Sequence, residues 1–322
     1  MSESHPWGEI AVPVSDFNVR RVAEPTATPC YWAKNAQGEC LFVLELNGEY
    51  SRAFRKEHPQ IHGVSVDLRT TVPGTQHLVL TLEEQVNQDL FAGMCSTLAS
   101  SLQRATDSAS SLDIALKHIR RWKAFLSGRG GTRLSPEEVR GLYAELTFLG
   151  EVLARAASNE SALNAWLGPE RSHQDFIYGD VAVEIKSLAG TERSSVHISS
   201  EDQLESQQGD CYLRLYRLSE LPEAAGAVNL NELVVSIGRK ITDAEAIEIL
   251  DRKLSAHRYV PLPDYDSPKF VVTGIRTFKV REGFPRIIRS QLHTGLSNVK
   301  YEIRLEAIAP FECDSKEVFE GV

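Results

Sequence analysis

Residues 175–187, DFIYGDVAVEIKS, leave the backbone few choices. Apolar residues alternate on either side of Gly179-Asp180, which spells two short strands joined by a two-residue turn. With that turn Tyr178 faces Val181, and further from the turn Asp175 faces Glu184. Directly opposed side chains have Cβ atoms roughly 4.5–5.5 Å apart on one face. Lys186 lies two residues beyond Glu184 and projects from that same face. Phe176, Tyr178, Val181, Val183 and Ile185 take the other face, where an apolar core is expected. The register gathers two acids and a lysine on one side of the hairpin.

Two carboxylates this close repel unless a positive charge sits between them or one stays protonated. A divalent cation supplies that charge. Oxygen ligands of this kind suit Mg²⁺ or Mn²⁺, with waters and a substrate phosphate completing the shell. A lysine beside such an ion can position or deprotonate a water, or offset charge at phosphorus. The chemistry that needs this trio is metal-assisted hydrolysis of a phosphodiester. The competing account is a surface hairpin with one solvated polar face. Against it, Glu184 and Lys186 interrupt an otherwise apolar run, VAVEIKSLAG. A further acid, Glu145 in GLYAELTFL, flanks an apolar helical stripe, where a charge needs a partner. It either pairs at the rim with Arg140 or Lys186, or ligates the same ion, directly or through water.

The remainder of the chain divides by periodicity. Up to about residue 82 it reads as strands, with hairpins in CYWAKNAQGECLFVLEL and VSVDLRTTVPGTQHLVLTL. Helical spacing follows, first through Val86, Leu90, Phe91 and Met94, then from Leu112 to Leu126 with Gly128 as the stop. Ser135, Pro136 and Glu138 form a capping-box signature ahead of the stripe Val139, Leu142, Leu146, Leu149 and Leu153. SALNAWLGP reads as a short helix ended by Gly168-Pro169, SSVHISS and CYLRLYRL as strands, and TDAEAIEILDRKLSAH as a helix capped by Thr242. FVVTGIRTFKV, PRIIRSQL and VKYEIRLEAIA alternate again. The expected division is a β-rich module over 1–105 and a second domain over 106–322 with a β-rich C-terminal extension. TDSASS at 106–111 is the candidate linker.

Asp175 followed by Glu184-Ile185-Lys186, with Glu145 on the preceding helix, resembles the PD-(D/E)XK nuclease superfamily over roughly residues 135–220. GLYAELTFL, DFIYGDVAVEIKS and HISSEDQL together resemble, over most of the chain, an uncharacterised bacterial PD-(D/E)XK motif protein family found among restriction and phage-defence gene clusters. The resemblance implies an α+β or α/β fold: a restriction-endonuclease-like core, with a mixed central sheet flanked by helices, beside the β-rich N-terminal module. It implies Asp175, Glu184, Lys186, Glu145 and Gln203 as the catalytic set, and Asp175, Glu184, Glu145 and Ile185 as metal contacts for Mg²⁺ or Mn²⁺. The implied activity is metal-dependent DNA endonuclease action in restriction or phage defence. The alternative is a nuclease-like DNA-binding or assembly subunit without catalysis. In one departure from the motif, Gln174 rather than proline precedes Asp175. His197 is expected to be structural.

Charge bears on the partner. The net charge of −9 argues against a nonspecific nucleic-acid coat but leaves room for local basic surface. Residues 114–136 contain no acid and hold Lys117, Arg120, Arg121, Lys123, Arg129 and Arg133. Residues 269–304 hold eight positive residues against Glu282 and Glu302. Both stretches are read as surfaces that follow a duplex backbone, so double-stranded DNA is the expected partner. Cutting two strands fits a homodimer, and the gene-cluster context fits further defence subunits. Five cysteines without a CxxC pair are expected to be reduced thiols and not a zinc site. Neither a secretory signal nor an apolar run of about 18 residues is visible, so a cytoplasmic location without membrane contact is expected.

Overall fold

A computed structural model describes residues 5–322 except 24, 58, 84–86, 128–132, 171, 191–193, 206–208 and 321. The fold is mixed α+β, in two compact units: residues 1–133 with 258–263, and residues 134–257 with 264–322. This division lies beyond the 105/106 boundary read from sequence.

The first unit is built on an antiparallel sheet. Its strands β1 (Phe17–Arg21), β2 (Cys30–Asn35), β3 (Cys40–Asn47), β4 (Val64–Val72) and β5 (Thr75–Leu82) are ordered β1-β2-β3-β5-β4. Both expected hairpins are present. Beside the sheet stand α1 (Ser51–Glu57), α2 (Gln88–Leu102) and α3 (Ser108–Ser127). Trp7 stacks on Phe91 of α2, lies edge-on to Trp32, and donates its indole N–H to the Leu41 carbonyl at 2.8 Å. The 106–111 segment is not a linker. Asp107 accepts from the Ser110 amide at 2.8 Å, the Ser108 hydroxyl accepts from the Asn47 amide at 3.0 Å, and the Ser111 and Thr28 hydroxyls bond at 2.7 Å. These serines begin α3 and fasten it to the sheet, so α3 belongs to the β-rich unit. Val86 and Gly128, read as helix markers, lie outside the described residues.

The second unit opens on α4 (Pro136–Leu153), which starts at the expected capping box: the Ser135 side chain accepts from the Glu138 amide, and the Glu138 carboxylate from the Ser135 amide. Then come α5 (Asn159–Ala165), β6 (Phe176–Tyr178), β7 (Val181–Ala189), β8 (Ser195–Ile198), β9 (Asp210–Glu220), α6 (Leu230–Lys240), α7 (Ala244–Ala256), β10 (Phe270–Lys279), β11 (Tyr301–Arg304) and α8 (Leu305–Ile308). Four strands form a mixed sheet in the order β10-β9-β7-β6, with β7 and β9 parallel and the other pairs antiparallel. A parallel strand buried on both faces reads as a near-continuous apolar run, which accounts for VAVEIKSLAG. On one face Phe176 meets Phe148 of α4 edge-on at 4.7 Å. On the other, Leu188 joins a core with Val196, Ile198, Leu213, Phe278, Ile303 and Ile308.

Two readings need correction, and two features were not anticipated. β8, a strand as expected, pairs with β11 in a two-stranded ribbon apart from the central sheet. PRIIRSQL is not a strand, since Arg289–Gln291 form a single tight turn of helix after proline-restricted backbone. The cap of α7 is Asp243, not Thr242: its carboxylate accepts the Glu245 amide, two residues on, at 3.0 Å. Helix α6, capped by Asn229 and Glu232, was not anticipated.

Two features of this unit matter later. Arg214 of β9, 2% exposed, ties four segments together. It reaches Glu151 Oε2 of α4 at 2.7 Å, Thr277 Oγ1 of β10 at 3.0 Å and the Ser315 carbonyl at 3.2 Å, while the Tyr216 hydroxyl donates to Glu151 Oε1 at 2.6 Å. The outer strand β10 carries a register break between Val272 and Gly274 and is bridged by Val228 at Phe270 and by Glu312 at Phe278.

Candidate active site

The hairpin forms in the expected register: Tyr178 pairs with Val181, Ile177 with Ala182 and Phe176 with Val183. Gly179 takes a positive φ of 52°, which its missing Cβ permits. Asp175 lies just outside the ladder and continues it through its side chain, with Oδ2 accepting the Ile185 amide at 2.7 Å. Beyond Asp175 the chain is held by two amides, Leu167 and Gly168, which donate to the Asp175 carbonyl at 2.7 and 3.0 Å.

Glu184 is 1% exposed. Its Oε1 lies 2.8 Å from the Lys186 ammonium, yet neither carboxylate oxygen has a hydrogen-bond partner of good geometry. A buried carboxylate in that condition is costly unless another positive group completes it. Burial pushes the Glu184 carboxyl up to about 7 against the pull of Lys186, and the neighbouring Glu145 adds to the rise. Burial also holds the Asp175 carboxyl well above the usual carboxylate range, reinforced by the charges of Glu184 and Glu145. At Lys186 burial works downward, but the Glu184 and Asp175 carboxylates outweigh it and hold the ammonium above its ordinary value. Lys186 also reaches Gln203 Oε1 at 3.3 Å, and that oxygen accepts the Ser199 amide at 2.8 Å.

Glu145, on the α4 face toward the hairpin, does not pair with Arg140. Its Oε2 accepts the Trp166 indole N–H at 2.8 Å and lies 3.1 Å from His257 Nε2. A Cβ added to Gly168 would stand 2.5 Å from Glu145 Oε2 and 3.1 Å from Asp175 Oδ1, so both acids converge on the bare Cα of that glycine. The structure therefore brings together Asp175, Glu184, Lys186, Glu145 and Gln203. Ile185 turns its side chain into the core and offers the site only its main chain. Trp166, Gly168 and His257 were missed by sequence reasoning. Among the described residues no three acidic, histidine or cysteine side chains form a ready-made metal cluster. Two carboxylates and a main-chain oxygen are nevertheless a sufficient protein share for Mg²⁺, which keeps several waters. The Glu184 carboxylate, with Lys186 near one oxygen and no well-formed hydrogen bond on either, fits such an ion.

The basic stretches behave differently from their reading as continuous positive surface. In the first unit Lys117 pairs with Asp113 at 3.2 Å and Arg120 with Glu57. Arg121 is half-buried, Lys123 and Arg133 are exposed, and Arg129 lies outside the described residues. In the second unit Lys269 pairs with Glu232, Arg276 with Glu312, Lys279 with Asp210 and Arg289 with Asp202, at 2.6–3.0 Å. Acids distant in sequence neutralise much of the 269–304 stretch. His197 is exposed, opposite Glu302 in the ribbon. A cleft of about 400 Å³ at the turn end of the hairpin is lined by His173, Gln174, Asp180, Asp202 and Arg289, and the acids of the site do not line it. No helix among the described residues is long and apolar enough to cross a membrane.

Residues 4–306 match the model of a family described as "Putative PD-(D/E)XK family member, (DUF4420)". No curated protein and no solved structure matches the chain.

Proposed function

This chain belongs to the PD-(D/E)XK family, and we propose that it is a metal-dependent DNA endonuclease that hydrolyses phosphodiester bonds in bacterial restriction or phage defence. The observation that carries this reading is the Glu184 carboxylate, buried beside Asp175 with the Lys186 ammonium 2.8 Å from one oxygen and no hydrogen-bond partner of good geometry for either. An ordinary structural carboxylate in this position would be fully bonded. Asp175, Glu184 and the Ile185 main chain would hold Mg²⁺ or Mn²⁺, with Glu145 contributing directly or through water. A divalent cation there supplies Lewis-acid charge to a phosphoryl oxygen and acidifies a water.

The chain's own residues supply the rest. Lys186, kept protonated by Glu184 and Asp175, places positive charge where a phosphorane-like transition state gathers negative charge. Gln203, anchored by the Ser199 amide, accepts from the Lys186 ammonium through the same oxygen and would offer its NH₂ to a water or phosphate oxygen. The exposed Lys123 and Arg133 remain candidates for phosphate contacts together with Lys117, Arg120 and Arg121. Double-stranded DNA, a homodimer and other subunits of a defence cluster are the proposed partners, and the cytoplasm the proposed location.

The test is incubation of supercoiled plasmid with wild type and Lys186→Ala, each with millimolar Mg²⁺ and with chelator. Nicked or linear product should form with wild type and Mg²⁺ alone. Plasmid left intact by wild type, or equal nicking by Lys186→Ala, overturns the assignment. A second expectation concerns Gly168. Gly168→Ala should fold with a loss under about 2 kcal/mol, because the displaced atoms belong to a side chain and not to backbone. It should lower cleavage by about 10²-fold, the effect of moving a carboxylate by an ångström. Thermal melts and single-turnover rates on the same preparation separate the two.

A further inference from the structure

Helix α7 reaches the acidic site through two residues one turn apart, Lys253 and His257. Lys253 is 2% exposed, and its ammonium binds the Trp166 carbonyl and Glu170 Oε1, the latter at 2.8 Å. A lysine this deeply buried loses hydration that must be replaced, and here the 166–170 turn replaces it. His257 stacks on the Trp166 ring, centroids 5.4 Å apart at 22°. Both rings point a nitrogen at one atom, Oε2 of Glu145, at 2.8 and 3.1 Å. The same turn carries the amides of Leu167 and Gly168 that hold the Asp175 carbonyl. One short segment, bolted to α7, thus sets the main chain of Asp175 and the carboxylate plane of Glu145 together.

We propose that His257, with Trp166, is a positioning residue for the metal-dependent site and acts through Glu145. The inference rests on the nuclease reading above. Glu145 stands among two other carboxylates and would swing away from them toward solvent if untethered. Two nitrogens on one oxygen remove that freedom and leave the other oxygen for the ion or its water. Partners that orient a ligand in this way usually contribute 10–100-fold to metal affinity.

The experiment is calorimetric titration of Mn²⁺ into the full chain without DNA. Wild type is compared with His257→Ala, His257→Gln, Glu145→Gln and the double variant Glu145→Gln/His257→Ala. His257→Ala should weaken Mn²⁺ binding about 10-fold. His257→Gln, whose amide can donate from a similar reach, should stay within about threefold of wild type. In the Glu145→Gln background His257→Ala should cost nothing further, as required of a residue that works only through Glu145. His257→Phe keeps the stack on Trp166 but has no nitrogen. It gives the same comparison if His257→Ala loses its cooperative melt. Wild-type affinity in both His257→Ala and His257→Phe, or an undiminished loss in the Glu145→Gln background, overturns the inference and leaves the nuclease reading intact. Wild type that binds no Mn²⁺ overturns both.

Discussion

Glu184→Gln is expected to abolish plasmid cleavage while removing a decline in the stability of the metal-free protein between about pH 4.5 and pH 7. The two effects share one cause. In the folded chain the Glu184 carboxyl stays protonated up to about 7, whereas in the unfolded chain it ionises near 4.5. Between those values the folded state holds a proton that the unfolded state has released. Stability therefore falls as pH rises from about 4.5 to about 7 and is level above that. The accumulated loss is as much as about 3 kcal/mol, at 1.36 kcal/mol for each unit of pKa difference. Glutamine does not titrate, so the variant lacks this decline, and Lys186 keeps Asp175 and Gln203 as neighbours. The raised Asp175 carboxyl acts in the same direction in wild type. Thermal melts at pH 5 and pH 8, with and without Mg²⁺, check this. Without metal, wild type should lose several degrees between pH 5 and pH 8 and the variant less, and only wild type should gain from Mg²⁺. An equal loss in both proteins between pH 5 and pH 8, with no gain from Mg²⁺ in wild type, would mean that Glu184 is neither raised by burial nor completed by an ion, and the case for an ion would fail.

Arg214→Ala is expected to destabilise the second unit by about 3 kcal/mol or more, read from the urea midpoint. The guanidinium is 2% exposed and bonds to Glu151, Thr277, Tyr216 and the Ser315 carbonyl. Removing one member of a buried ion pair leaves its partner charged and unmatched, which typically costs about 3–5 kcal/mol. Glu151 retains some water access, which places the expectation at the lower end. Arg214→Met/Glu151→Gln should recover part of the loss, because no charge is then stranded and the Tyr216 hydroxyl keeps an acceptor. A single variant within about 1 kcal/mol of wild type would show that the network contributes little.

Much of the site was legible because the informative residues are close in sequence. The two-residue turn fixes the register of the hairpin, and alternation then places Asp175, Glu184 and Lys186 relative to the apolar face. Glu145 was legible as a charge beside an apolar stripe, and Gln203 through likeness to a family. Trp166, Gly168, Lys253 and His257 gave no such signal. Their contacts join α4, α7 and the turn between α5 and β6 across 87 and 112 residues of chain, and no local pattern encodes a distant partner. The same limit explains the misreading of residues 269–304. A linear count of charge cannot show that Asp202, Asp210, Glu232 and Glu312 fold back onto Arg289, Lys279, Lys269 and Arg276. The partner of β8 was not legible for a related reason, since β11 lies about 100 residues later.

The outer strand β10 has a consequence for self-association. A long bare strand at the rim of a sheet is a template on which another chain can add itself, and natural proteins blunt such rims. Here the rim is kinked at Gly274 and its ends are already occupied by Val228 and Glu312. At the opposite rim β6 is three residues long, too short to seat a visiting strand. Both rims of this four-stranded sheet are therefore poor seats for a strand from a second copy, which favours side-chain contacts over edge pairing at this sheet.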